Sequence, residues 1–576
     1  MCLFRHRRSK IAPSRPQQKV YAPPPPTREE ECAKANDLIE ILKSFGCFES
    51  NVELRHREHV VQRLQSLFRE WLVEMCWEKN FPDIIPERVG GKLVPFGSHH
   101  LGVASKGADI DILCVGPGFL QRKDFFSSFV GKLKRQREVK DITAIEEAFV
   151  PVVKLSFEGI EIDLVFARVA RNRVPEGMDL LREDWLLGMD IQSVRSLNGY
   201  RVTEEILRLV PNIQNFRLAL RTIKLWAKQR NIYSNSLGFL GGISWAILVA
   251  RICQEYPTAS ASTLVTMFFK EYNMWKWPNP IMLRELKDCH FNLPVWDPRV
   301  NQADRSHTMP IITPAYPMQN TAFNVTPSTL AIMKEEIQRG HTIASWSKLF
   351  EKPNFLRKYK HYILLQAASA TEEQHPAWVG LVESRIRHLV VNLERHVLVT
   401  RAHINVQSYP ECSKGNATAP IRTKWLIGLV FNEQGGKHLS IDLTPNLQRF
   451  SDIVYSVANR CQMFREGMTT SARYMSQKDF SWDLPQEPGR RVISEEPKPS
   501  GSRTMAAPAP SAMSHQATKR SRSPHSETST KKFKSEVGPS KGVSLSQSKS
   551  GGLKRPHTPE SGSPSKRVRT VLLKPT

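Results

Sequence analysis

Residues 96–115 read FGSHHLGVASKGADIDILCV, and the two aspartates in that run, Asp109 and Asp111, constrain the chain more than any other feature. They stand at alternate positions at the head of an apolar stretch that reads as a β-strand, and alternate positions on a strand share a face. Charge placed in that way marks either a solvated edge or a cation site. On an isolated half-buried strand the solvent-facing stripe is the commoner outcome, so the pair needs company to mean more. GIEIDLVFA, residues 159–167, supplies it: Asp163 and Glu161 share one face, with Ile160, Ile162 and Leu164 on the other. If the two strands adjoin in one sheet, three carboxylates converge.

Convergent carboxylates in a poorly solvated site repel one another and are stable when cations neutralise them. Oxygen ligands without His or Cys select Mg2+ or Mn2+ over zinc. Two such ions close together serve in-line phosphoryl displacement, one activating an attacking hydroxyl and the other steadying a leaving pyrophosphate. Just upstream, Gly97-Ser98 offers backbone N–H groups to phosphate oxygens.

The length, 576 residues, leaves room for roughly three domains and tails. ANDLIEILKSFG and VELRHREHVVQRLQSLFREWLVEMC carry apolar residues at three-and-four spacing and predict two helices. KLVPFGS, the Asp-bearing strand, a helix around RKDFFSSFVGKLKRQ and the strands AFVPVVKLSF and IEIDLVFARV follow, the last two joined by a turn at Glu158-Gly159. From about Pro211 helices dominate, up to a Pro-rich connector from Trp277 to Pro327. A third region, about 346–487, opens with helices, among them AWVGLVESRIRHLVVNLERH, and continues with strand-like TRAHINVQ, TKWLIGLVF and KHLSIDLT.

Both ends are expected to be disordered. Residues 1–28 are Pro- and Arg-rich, and 488–576 are rich in Ser, Pro, Lys and Arg with almost no aromatics, too little apolar surface to offset the entropy of ordering. The net charge is +26, and the segment from Pro488 onward holds 18 Lys and Arg against 5 Asp and Glu, half of the excess in under a sixth of the chain. Such a balance favours a polyanionic partner, nucleic acid ahead of an anionic membrane. The nine cysteines form no C-x-x-C pair and read as reduced intracellular thiols. The longest apolar stretch, Leu237–Ala250, is too short to span a bilayer and reads as a buried helix, so no membrane association and no secretory address are expected.

FGSHHLGVASKGADIDILCVGP closely resembles the Gly-Ser…Asp-x-Asp signature of the polymerase β-like nucleotidyltransferases, and in detail that of the animal nuclear poly(A) polymerases. EEAFVPVVKLSFEGIEIDLVFAR, SLNGYRVTEEILRLVPNIQNFRLALRTIKLWAKQRNIYSNSLGFLGGISWAILVARICQ, NLPVWDPRVNQADRSHTMPIITPAYPMQNTAFNV and WVGLVESRIRHLV are similar to the same family in order and spacing, over about 30–480. The resemblance implies an α+β multidomain protein with a nucleotidyltransferase palm at 29–170, a helical central domain at 171–345 and an RRM-like RNA-binding domain at 346–487. It implies a poly(A) polymerase adding AMP from ATP to RNA 3′ ends. Asp109, Asp111 and Asp163 are then the catalytic ligands of two Mg2+ or Mn2+ ions. Phe96, Gly97, Ser98 and Ser105 line the triphosphate, Lys224 and Tyr233 reach it from the central domain, Gly242 and Ile243 frame the nucleotide, and Asn198 and Thr313 lie near its ribose or base. Phe149 and Asn324 match positions near the RNA 3′ end, and Arg387, with Arg385, is a candidate for the RNA backbone. Without the resemblance, Lys224 reads as a solvated helix lysine, Tyr233 as a helix-end packing residue, and Phe149 and Ile243 as core.

The chain departs from the family in three places. His99-His100 replace the usual Tyr-Arg, the segment before SWSKLF is short, and the tail is brief, which together suggest a divergent, short-tailed paralogue. Replacing a guanidinium by an imidazole removes a charge near the nucleotide. KRSRSPHSETSTKKFK (519–534) and KRPHTPESGSPSKRVR (554–569) are paired basic clusters with the plan of nuclear-import signals. A nuclear monomer recruited by cleavage and polyadenylation factors is therefore expected. Two rivals are a uridylyltransferase of the same superfamily and a catalytically silent RNA-binding paralogue.

Overall fold

The computed structural model describes residues 28–80, 88–286, 289, 291–411, 420–432, 441–481 and 572–573; the expected disordered tails and their basic clusters lie outside these, except that Arg28 opens a helix and Leu572–Leu573 form a strand paired with Ile441–Asp442, contrary to the expectation. Two helices come first, α1 (Arg28–Ser44) and α2 (Asn51–Lys79). Ser50 fixes the start of α2: its hydroxyl accepts from the Glu53 N–H at 3.2 Å, and the Glu53 carboxylate accepts from the Ser50 N–H at 2.8 Å.

The first sheet contains β1 (Lys92–Phe96), β2 (Ile110–Gly116), β3 (Val139–Ile145), β4 (Val152–Phe157) and β5 (Ile160–Arg168) in the order β1-β2-β5-β4-β3. The four-residue α3 (Gly97–His100) follows β1. Between β2 and β3 the predicted single helix is three pieces, α4 (Arg122–Asp124), a π-helical turn (Phe125–Phe129) and α5 (Val130–Lys134). β2 and β5 are parallel and the other pairings antiparallel. Glu158 and Gly159 take φ of 49° and 80°, the left-handed pair that a two-residue hairpin between right-twisted strands demands.

Parallel central strands are buried on both faces. Here Ile110, Ile112, Ile162 and Leu164 pack against α2 and the π-helical turn. Leu113, Val115, Val165 and Ala167 pack against Val174–Leu186 and α6 (Ile191–Leu209). By alternation Asp111 and Asp163 stand on this second face, where the cover gives out and their side chains are only half-buried.

The helical region continues with α7 (Ile213–Gln229), α8 (Gly242–Glu255), α9 (Ala261–Met274), the short α10 (Gln302–Arg305), α11 (Pro327–Thr342) and α12 (Trp346–Leu349). Edge-to-face contacts among Trp226, Trp245, Phe268 and Phe269 centre its core. Although α1 precedes the sheet in sequence, Leu38 and Leu42 are buried in this helical core.

The third region holds β6 (His361–Ser369), α13 (His375–Glu394), β7 (Val399–Ile404), β8 (Tyr409–Glu411), β9 (Ile421–Phe431), β10 (Ile441–Asp442), α14 (Thr444–Arg460) and β11 (Thr469–Ser476). Its main sheet runs β11-β6-β9-β7, all antiparallel, with β8 on the flank of β9. Counting its four main strands, the chain visits positions in the order expected of an RRM-like βαββαβ unit. One expectation fails: the region does not lead from helix to helix, because β6 precedes α13. HYILLQAAS is buried on both faces, so it offers no alternation to separate strand from helix, and β9 and β11 decide the matter by pairing with it. Among the described residues no helix is long and apolar enough to cross a membrane.

Candidate active site

Asp111 on β2 and Asp163 on β5 are direct register partners in the parallel ladder, whereas Asp109, expected on the same strand, is the residue just before it. Carboxylate oxygens of the three lie within 4.8 Å of one another. Asp111 is pushed up to about 7, first by burial and then by the charges of Asp109 and Asp163. One cation of the sheet answers this charge: Lys154, the cross-strand partner of Asp163 on β4, forms an ion pair with it. Lys154 escaped the sequence reading, yet the two-residue turn at Glu158-Gly159 already sets 154 opposite 163.

The first residue of α3 has to be glycine. Its φ is 64°, and a Cβ there would lie 2.2 Å from Asp111 Oδ2. The Gly97 N–H donates to Thr203 Oγ1 on α6 at 3.2 Å. Phe96 pairs with Asp111 across β1 and β2, and its ring lies against Gly199 of α6, where a Cβ would approach to 2.6 Å. Ser98 and Ser105 flank the loop that leads to Asp109 and are half-buried.

The helical region brings its own residues to the carboxylates. Lys224 on α7 is buried, not solvated, and its ammonium donates to the Val103 carbonyl at 3.2 Å. Burial, with Lys228 and Arg221 nearby, pulls it down to about 8 against the opposing pull of Asp109. Burial raises Tyr233 to about 12, with Asp109 and Asp111 adding to the effect. The Tyr233 hydroxyl lies 2.7 Å from where a Gly242 Cβ would stand, so glycine at the start of α8 admits the phenol. Ile243 is half-buried beside it.

The remaining sequence candidates form separate groups. Asn198 donates to the Pro317 carbonyl at 3.2 Å, and Thr313 exchanges hydrogen bonds with Gln319, so both are tied to the 313–319 segment; Asn198 Oδ1 is buried and unpartnered. Asn324 is buried, donating to Asn235 Oδ1 at 2.9 Å. Phe149, which periodicity marks as core, is 71% exposed, with the Arg195 guanidinium 3.7 Å from its ring centroid. Arg385 and Arg387 lie on α13, where burial and then Arg385 pull Arg387 below its ordinary range. His100 Nε2 pairs with Glu204 Oε2 at 2.8 Å, whereas burial and then Arg57 push His99 down, towards its neutral form.

An all-oxygen cluster whose negative charge is only partly compensated, by Lys154, can hold a divalent cation. Opposite it stand Lys224 and Tyr233, groups suited to a polyphosphate. Three family models match in succession: the poly(A) polymerase nucleotidyltransferase domain over residues 23–210, the central domain over 215–352 and the predicted RNA binding domain over 354–421. The chain belongs to the poly(A) polymerase family. Among curated relatives, the poly(A) polymerase of Dictyostelium discoideum is 42% identical over 77% of this chain and 56% of its own length. Nuclear poly(A) polymerases 2 and 1 of Arabidopsis thaliana are each 42% identical, over 66% and 70% of this chain and 48% and 57% of their own lengths. The chain thus spans about half the length of these poly(A) polymerases.

Proposed function

We propose that this chain is a template-independent polynucleotide adenylyltransferase, transferring AMP from ATP to RNA 3′ ends in mRNA polyadenylation. The observation that carries the reading is the open carboxylate face of the first sheet, confronted by Lys224 and Tyr233 from the helical region. In this reading the RNA 3′-hydroxyl attacks the α-phosphorus of ATP, an O–P bond forms, and the bond to the departing pyrophosphate breaks. Asp109, Asp111 and Asp163 would hold two Mg2+ or Mn2+ ions, which supply Lewis-acid stabilisation of the attacking and leaving oxygens. Phe96, Gly97, Ser98 and Ser105 cradle the triphosphate while Lys224 and Tyr233 orient it. Gly242 and Ile243 frame the nucleotide, and Asn198, through its unpartnered Oδ1, and Thr313 meet its ribose or base. The exposed Phe149 ring offers a stacking platform to an RNA base. Asn324 serves the RNA 3′ end through the Asn235 pair, and Arg387 the RNA backbone.

The domain limits in this reading are 29–170 for the palm, 171–345 for the central domain and 346–487 for the RNA-binding domain, with 1–28 and 488–576 as tails. Location in the nucleus, a monomeric state and recruitment by cleavage and polyadenylation factors belong to the same proposal, as does descent as a divergent animal paralogue. The test is extension of a labelled oligo(A) RNA with each of four nucleotides in Mg2+ and in Mn2+, comparing the parent with Asp111→Ala. ATP-selective lengthening that vanishes in the variant is expected. Preference for UTP would make the chain a uridylyltransferase, and RNA binding without extension a silent paralogue.

A further inference from the structure

The sheet ladder positions two of the three carboxylates, because Asp111 and Asp163 are register partners inside it. Asp109 is placed differently. It precedes β2 and is exposed, at the end of an irregular loop that starts at Leu101, after α3. Its position depends on how firmly that loop backbone is held.

The loop is held by guanidinium groups from two sides. On α7, Arg221 donates to the Gly102 carbonyl at 2.8 Å and the Ala104 carbonyl at 2.7 Å, and also to Cys47 O in the α1–α2 connector. On α2, Arg57 is 3% exposed, is paired with Glu49 at 2.6 Å, and donates to the carbonyl of Ala108, the residue before Asp109. Arg57 Nη1 is buried without a partner. A guanidinium buried at that cost, with one arm spent on a loop carbonyl, is an expensive way to fasten an idle turn.

We propose that Arg57 and Arg221 are positioning residues for Asp109, clamping the 101–108 backbone so that the third carboxylate stays in register with the two on the sheet. The hydrogen bonds of the two arginines go to Glu49 and to backbone carbonyls and not to the three aspartates, so both act through the loop. The planar fork matters, since Arg221 spans three carbonyls and Arg57 joins a carboxylate to a carbonyl, geometries that a single ammonium cannot reproduce.

The inference rests on the carboxylates holding a cation, so the experiment measures Mn2+ directly, by calorimetric titration of the full chain, with thermal melting as the control for folding. Arg57→Met and Arg221→Met should each weaken Mn2+ binding about tenfold, the lower end of what outer partners of metal ligands contribute. Arg57→Lys and Arg221→Lys should recover part of it. Adding either Met substitution to Asp109→Ala should cost little more than Asp109→Ala alone, because both act through that carboxylate. If Arg57→Met fails to fold with Glu49 left unpaired, the double variant Glu49→Leu/Arg57→Met replaces the buried pair by apolar groups and must show the same loss. Folded variants that bind Mn2+ as the parent does, or losses fully additive with Asp109→Ala, overturn the assignment alone. A parent chain that binds no Mn2+ removes the metal-site reading and this inference with it.

Discussion

At the Arg168 end of β5, Asp190 caps α6 and is surrounded by donors that the chain itself supplies. It accepts from the Ser193 N–H at 2.9 Å, the Ser193 hydroxyl at 2.8 Å, Arg168 at 3.0 Å and Arg122 at 3.2 Å. Burial alone would raise it, yet the Ser193 and Arg168 hydrogen bonds and the Arg122 charge hold it at about 2. Towards the opposite end of the same strand pair, Asp111 is likewise half-buried, but burial and the facing charges of Asp109 and Asp163 raise it to about 7. One carboxylate is matched by donors of the chain itself; the other faces two further carboxylates. The difference marks Asp190 as a structural acid and Asp111 as the candidate for binding.

The largest effect should come from neutralising each acid in turn. Asp111→Asn should lower adenylyl transfer by about 1,000-fold or more while raising the melting temperature of the metal-free chain, because a repelling charge is gone. Asp190→Asn should do the reverse, keeping turnover per folded molecule but costing about 1–2 kcal/mol, because Asn still caps α6 but no longer offers a charge to Arg122 and Arg168. Steady-state rates and melting curves on the two variants check the pair.

A second prediction concerns kcat/KM for ATP, which reports groups of the free enzyme. At limiting metal it should rise as pH passes about 7, where the metal-free Asp111 gives up its proton, and fall above about 8, where Lys224 loses its own. Below the acid limb the loss is about tenfold per pH unit for one essential group. Raising Mn2+ should move the acid limb to lower pH, since metal and proton compete for the same carboxylates. An acid limb indifferent to Mn2+ would count against the carboxylates as its source.

The smallest effect is on metal-free stability, and its sign differs between the two acids. The Asp111 pKa is raised on folding, so its contribution is lost as pH rises through about 7 and regained on acidification. The Asp190 pKa is lowered, so its contribution holds above pH 4 and is lost as pH falls from about 4 to about 2. Melting in chelator should therefore improve modestly from pH 8 to pH 6, a trend absent in Asp111→Asn, and decline below pH 4, a decline reduced in Asp190→Asn.

That Asp111 and Asp163 turn to one face of their strands was legible because strand alternation is strict; that β2 and β5 adjoin was not, since the Glu158-Gly159 turn fixes only the β4–β5 hairpin, and Asp109 lies in the loop before β2. β6 was not legible, since a strand buried on both faces has no period. The clamp by Arg57 and Arg221 was hidden for a different reason: arginines on amphipathic helices resemble solvated ones until tertiary packing buries them. Phe149 misled in the opposite direction, an apolar residue in an apolar neighbourhood that nonetheless points outward beneath Arg195.

The most direct test of the contrast between the two acids is calorimetric titration of Mn2+ into the chelator-treated full chain, its Asp111→Asn variant and its Asp190→Asn variant at pH 8. Saturable binding is expected for the parent and for Asp190→Asn, and its loss in Asp111→Asn. Undiminished binding in Asp111→Asn would contradict that contrast.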